Sequence, residues 1–270
     1  MLKLGLVGFG SIGSILAKAI SEGKAGDVQL VAVHDLFEKP PFAQVDERPG
    51  YTRTIEALLQ EDMDVVVEAV SQSVLRQVAP LVLQSGRDLI AMSVGAFADE
   101  AWLAETAGLA RAHDCCIYLP SGAIGGLDAL SAAMLDDMHT VSLTTIKPLR
   151  ALKGARSAID PGLDLETITE PTCLYDGPAE EAIRLFPKNV NVAATLSLAT
   201  IGVYKTRVKI IADPHAENNT HRIEAKGNFG RLSLELNLNA SPDNPKTSYL
   251  AALSAVRLIK KLTETIRIGA

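Results

Sequence analysis

The 270-residue chain carries 26 lysines and arginines against 32 aspartates and glutamates, and 47% of its residues are hydrophobic although only 4% are aromatic. The net charge of −6, with no basic stripe and no interleaving of aromatic and basic residues, argues against nucleic acid and for a small-molecule partner. No apolar stretch approaches the roughly 20 residues of a membrane span, so no membrane association is expected.

The short apolar run at the N-terminus is interrupted by Lys3 and is not expected to be a signal peptide. Cys115, Cys116 and Cys173 stand at no metal-ligand spacing, so no metal site is expected, and the pattern suits a reducing cytoplasm. Strand and helix patterns alternate through the first half. Residues 2–7 form a continuous apolar run, the mark of a strand covered on both faces, and helical spacing follows over 12–21. A second strand at 28–33 ends at His34 and Asp35. Pro40, Pro41 and Pro49 mark a surface loop. Then come a short helix at 54–60, a strand at 65–69, a helix at 74–84, a strand at 88–92, a helix at 100–112 and a strand at 116–119. This succession implies a parallel sheet with right-handed crossovers over residues 1–120.

The character changes after Pro120. A helix is expected at 126–135 and a half-exposed strand at 140–147, followed by a polar, irregular stretch at 148–171. Helical segments near 179–186 and 192–199 precede three strands at 205–212, 221–226 and 230–238, with 227–229 joining the last two. Residues 121–246 therefore read as an α+β domain with a mixed or antiparallel sheet. The amphipathic stretch 249–265, within a final segment 247–270, is expected to pack back on the first domain.

Gly8-Phe9-Gly10-Ser11-Ile12-Gly13 follows a buried strand and opens an amphipathic helix, the context in which a G-x-G-x-x-G motif binds a dinucleotide. Gly8 would allow the turn, Gly10 the approach of the pyrophosphate, and Gly13 close helix–strand packing. The N–H groups of Ser11 and Ile12 at the helix start would face the phosphates. Asp35, at the end of the second strand, is placed to accept hydrogen bonds from ribose hydroxyls and to repel a 2′-phosphate. NAD is therefore the expected cofactor. Lys39 and Arg48 nearby leave NADP open. Ser71, Ser93 and Ser121-Gly122-Ala123 follow further strands, where carboxyl ends line the cofactor crevice.

Three later segments are hard to explain as packing: Ser121-Gly122-Ala123-Ile124-Gly125-Gly126, Phe186-Pro187-Lys188-Asn189-Val190-Asn191-Val192-Ala193-Ala194, and Asn218-Asn219-Thr220-His221. Together with the N-terminal motif, they resemble the L-aspartate dehydrogenase family along essentially the whole chain. The resemblance implies a Rossmann domain followed by a domain like those of dihydrodipicolinate reductase and homoserine dehydrogenase. It also implies oxidation of L-aspartate to iminoaspartate with NAD or NADP, in the service of NAD biosynthesis or of aspartate breakdown to oxaloacetate and ammonia. It assigns the catalytic role to His221 and cofactor contacts to Ala123 and Asn189. Arg222 stands where many relatives carry an acidic residue, which bears on the charge around the histidine.

The chemistry supports a histidine independently. Hydride leaves Cα only once the amine is uncharged, and a base titrating near neutrality can take that proton. His215 is the nearest competitor to His221; His34, His113 and His139 lie elsewhere in the pattern. A dicarboxylate also needs cationic or amide partners, for which Lys188, Asn191 and Lys147 are candidates, Lys147 alternatively being a solvated strand-end residue. A homo-oligomer is expected by analogy with such folds. Two other readings stay open: a dehydrogenase of the same plan acting on another small acid or semialdehyde, and a non-catalytic sensor of NAD(H).

Overall fold

The computed structural model describes residues 1–36, 49–152, 165–186, 191–241 and 244–269, and the chain divides into two compact units. The first comprises Met1–Pro120 and Ala252–Ala270, the second Ser121–Ala251.

In the first unit a six-stranded parallel sheet has the order β3-β2-β1-β4-β5-β6, with β1 Leu2–Val7, β2 Val28–His34, β3 Gly50–Thr52, β4 Val65–Glu68, β5 Asp88–Ala91 and β6 Ile117–Tyr118. The order runs outward in both directions from β1 and β4, which makes the carboxyl ends of these two strands the topological switch point. Helices α1 (Ser11–Ser21), α2 (Ile55–Leu58), α3 (Gln72–Gln84) and α4 (Glu100–Ala112) supply the crossovers. Side-chain caps fix three of their starts: Thr54, Ser71 and Asp99 accept from the N–H groups of Ala57, Val74 and Trp102. The apolar run of β1 is buried because helices cover the sheet. Leu4, Leu6, Leu16, Val33, Val65, Val67 and Ile90 form one core with Ala255, Val256 and Ile259 of the C-terminal helix α9 (Tyr249–Thr263).

The second unit holds a five-stranded mixed sheet in the order β11-β10-β7-β9-β8: β7 Met138–Pro148, β8 Thr172–Pro178, β9 Arg207–Asp213, β10 Asn219–Gly227 and β11 Gly230–Leu238. β7 runs antiparallel to β10 and parallel to β9. Helices α5 (Leu127–Ala133), α6 (Leu149–Leu152), α7 (Ala179–Leu185) and α8 (Asn191–Leu198) accompany it, and a short ladder joins β12 (Ala240–Ser241) to β13 (Asn244–Ser248). Several elements depart from the sequence reading, among them β12 and β13. β3 and β8 are short edge strands, and Asp176-Gly177-Pro178 disguises the end of β8 as a turn. Helix α6 lies in the stretch read as irregular, and a 3₁₀ turn at Val94–Ala98 lies where no element was expected.

Candidate active site

In the first unit the strand–loop–helix junction has the shape its sequence anticipates. Gly8 adopts φ +94°, a conformation that L side chains avoid, and its N–H donates to the His34 carbonyl at 2.8 Å. A Cβ at Gly13 would run into the Gly8 carbonyl oxygen, so the helix can start this close to the strand only with glycine there. A Cβ at Gly10, in contrast, would meet nothing within 4 Å. The backbone at Gly10 is therefore open to a ligand, which fits the approach of a pyrophosphate to the α1 N-terminus, where Ser11 and Ile12 stand. Asp35, just past β2, accepts from the Phe9 N–H through Oδ2 at 2.6 Å, which ties the carboxylate to the glycine loop. Its own carbonyl accepts from the Tyr51 hydroxyl at 2.6 Å.

The sequence reading passed over Glu68. It ends β4, is completely buried, and lies at the switch point. Its Oε1 accepts from the N–H groups of Val70 (2.8 Å) and Ser71 (2.9 Å) and from the Ser93 hydroxyl (2.9 Å), while Oε2 accepts from the Ser93 N–H at 3.1 Å. Burial pushes its carboxyl pKa upward, against the pull of these four donors. Glu68 thus fastens the loops after β4 and β5 to each other, and with them Ser71, whose hydroxyl caps α3. An acid in the otherwise apolar run Val65-Val66-Val67-Glu68 was the visible signal.

In the second unit the buried face of the sheet changes character along its length. Val141 and Leu143 on β7 and Ile223 and Ala225 on β10 are apolar and buried. Toward the carboxyl end of β7 the same face carries Thr145, Lys147, Asn219 and His221, all buried. Thr145 and His221 are register partners, and the Thr145 hydroxyl lies 3.0 Å from His221 Nδ1. Among the described residues Nε2 of that ring has no hydrogen-bond partner. Burial, reinforced by the charge of Lys147, pushes the imidazole pKa down to about 3. Lys147 is 5% exposed and forms no ion pair or hydrogen bond among the described residues, and burial lowers its pKa to about 8.

These observations correct three premises. The imidazole of His221 does not titrate near neutrality in this state; it is held neutral. Arg222 does not set its charge environment either. It points to the exposed face and pairs with Glu235 at 2.5 Å, so the nearby cation is Lys147. Lys147 is also no solvated strand-end residue. His215 is exposed, with its N–H bonded to Asp213.

Ala123 is buried in the turn closed by the Ile124 N–H and Ser121 carbonyl. Asn191 opens α8, its carbonyl accepting from the Thr195 hydroxyl at 3.0 Å. Lys188 and Asn189, like Lys39 and Arg48, lie outside the described residues. Among those described, no cluster of His, Cys, Asp or Glu could hold a metal ion, and no helix is long and apolar enough to cross a membrane.

Comparison with known proteins agrees with both units. Residues 8–120 match the NAD-binding domain of homoserine dehydrogenase and residues 128–262 the C-terminal domain of aspartate dehydrogenase. The L-aspartate dehydrogenase of Methanosarcina barkeri is 44% identical, with both chains covered in full. The crystal structure of aspartate dehydrogenase from Thermotoga maritima superposes over the full length of both chains with a TM-score of 0.77 at 28% identity. A hyperthermophilic archaeal homoserine dehydrogenase solved with NADPH covers 100% of this chain, and the chain covers 99% of it, at a TM-score of 0.62 and 12% identity, a likeness of fold. With an aspartate dehydrogenase C-terminal domain and full-length relatives at this identity, the chain belongs to the L-aspartate dehydrogenase family.

Proposed function

We propose that the chain oxidises L-aspartate to iminoaspartate, which hydrolyses to oxaloacetate and ammonia or enters pyridine nucleotide biosynthesis. NAD is the preferred cofactor, with NADP also accepted. The observation that carries this reading is the polar end of the second unit's sheet, where a neutral imidazole stands beside a buried cation that has no counter-ion among the described residues. An anionic substrate supplies that counter-ion.

Lys147 pairs with one substrate carboxylate. The arriving negative charge offsets the field of Lys147 at the imidazole, so substrate binding raises the basicity of His221. Nε2, the ring nitrogen without a hydrogen bond among the described residues, then takes the proton of the α-ammonium and frees the lone pair that drives hydride from Cα. When bound, the cofactor supplies the hydride acceptor. Gly8, Gly10, Ser11, Ile12, Gly13 and Asp35 hold its pyrophosphate and ribose, with Ser71, Ala123 and Asn189 as further contacts. Lys188 and Asn191 are candidates for the second carboxylate.

The reading extends to a homo-oligomer in the cytoplasm. Its support is β11, a nine-residue edge strand whose Leu232, Leu234, Leu236 and Leu238 are only partly covered, together with three free cysteines. Light scattering of the purified protein gives the oligomeric state.

The deciding experiment follows NADH formation at 340 nm (a general property of the reduced nicotinamide) with L-aspartate and each cofactor. Turnover is expected in the wild type, with kcat lower by about 10²–10⁴-fold in His221→Ala and NADH affinity unchanged. Full activity in His221→Ala would remove the histidine from the mechanism. Absence of aspartate turnover in the wild type would refute the activity itself.

A further inference from the structure

Four polar side chains crowd the end of the second unit's buried face, and two of them have unmet hydrogen-bonding needs of opposite kind. Lys147 offers donors with no acceptor among the described residues. Asn219, 5% exposed, buries an Oδ1 acceptor that has no donor among the described residues. The two are neighbours by register. Thr220 faces Ile146 and His221 faces Thr145, so continuing the ladder by one residue sets Asn219 opposite Lys147. Asn219 and His221, two apart on β10, share the same face.

A buried acceptor left unpaired is costly, and at the polar end of this face, beside an unpaired cation, a ligand accounts for it. The group that completes this site must present an anion to Lys147 and N–H donors to Asn219 and His221 Nε2 at once. An α-amino acid does so: its carboxylate and its ammonium are both bonded directly to Cα. A dicarboxylate without the amine satisfies Lys147 and leaves Asn219 unmet.

We propose that Asn219 is the residue that recognises the substrate's α-amine, its Oδ1 accepting one ammonium hydrogen while His221 Nε2 accepts another. Asn219 thereby discriminates amino acids from their deaminated analogues and turns the nitrogen lone pair toward the imidazole. This deepens the role proposed above for His221 and Lys147 by adding the determinant of amine specificity.

The test is calorimetric binding of L-aspartate and of succinate to the enzyme–NADH complex, which requires no turnover. The variant is Asn219→Leu, of similar volume, with Asn219→Gln retaining a neutral amide acceptor. Asn219→Leu is expected to weaken L-aspartate binding at least tenfold and to change succinate binding less than threefold, while Asn219→Gln recovers part of the loss. Parallel weakening of both ligands would overturn the proposal and make Asn219 a support for Lys147, and unchanged aspartate binding would overturn it outright. If Asn219→Leu fails to fold, Asn219→Ala decides with the same two ligands, unchanged aspartate binding or parallel weakening counting against the proposal. Should the wild type bind L-aspartate in this amine-dependent way without oxidising it, the reading of Asn219 stands and that of the activity falls.

Discussion

The Thr145 hydroxyl and the Nδ1 atom of His221 face each other across the β7–β10 ladder, 3.0 Å apart and both buried. If Nδ1–H donates to the threonine oxygen, Nε2 keeps its lone pair and acts as base; the opposite tautomer carries its proton on Nε2 and cannot. Thr145→Val, which keeps the shape and removes the acceptor, should lower kcat about tenfold or more, with KM for L-aspartate and NADH affinity within a few-fold. Thr145→Ser should restore most of the rate. A full rate in the Val variant with a loss in the Ser variant would mean that packing of the methyl group matters and the hydroxyl does not.

His221 also gives the fold a pH dependence whose sign is fixed. Its folded-state pKa, about 3, lies below the ordinary histidine value of 6.5, so the unfolded chain binds more protons between those limits. The stability it contributes is present above pH 6.5 and is lost as the pH falls toward 3. The slope for one proton is at most about 1.4 kcal/mol per pH unit. Urea denaturation at pH 7.0, 6.0 and 5.0 should show a shallower loss in His221→Gln than in the wild type. Identical slopes would count against a buried neutral imidazole.

The glycine loop separates a binding role from a folding role. Gly10→Val places its side chain in open space, so unfolding midpoints should hardly move while NADH affinity falls at least tenfold. Gly13→Ala drives its Cβ into the Gly8 carbonyl and should destabilise the protein by roughly 1–3 kcal/mol, the usual scale of overpacking. Fluorescence titration and urea denaturation of both variants read the two effects. Unchanged NADH affinity in Gly10→Val would place the pyrophosphate elsewhere.

Asp35→Asn removes the charge that repels a 2′-phosphate but retains an oxygen for the Phe9 N–H. The ratio of kcat/KM for NAD over NADP should fall several-fold, with little change in stability. A wild-type preference for NADP of tenfold or more would contradict the role given to Asp35.

The elements most legible in the sequence are those with one strong periodicity. The apolar run of β1 and the helix Glu100–Ala112 have the bounds their patterns suggest. Elements held by their neighbours were not legible. β8 is a strand because β9 pairs with it, although its last residues are turn formers. The site divides the same way. The glycine motif is local and could be read directly. The meeting of Thr145 with His221, and the gathering of Lys147 and Asn219 at the same end of the sheet, depend on a register between strands distant in sequence, which spacing cannot give. Lys147 before Pro148 has the look of a solvated strand end; its burial is set by the sheet around it.

The C-terminal helix gives the chain an order of events. Ala255, Val256 and Ile259 complete a core whose other buried members lie between Leu4 and Met92, so the N-terminal unit emerges from the ribosome with a hole in it. At ordinary rates of synthesis, on the order of ten seconds pass before the missing helix is made. Through most of that interval the second unit is itself being made, and its last residue, Ala251, precedes Ala255 by only four positions, so the two units become complete almost together. A stop codon placed after residue 251 would therefore leave the second unit intact and the dinucleotide-binding unit unsealed, its leucines and valines offered to chaperones and proteases.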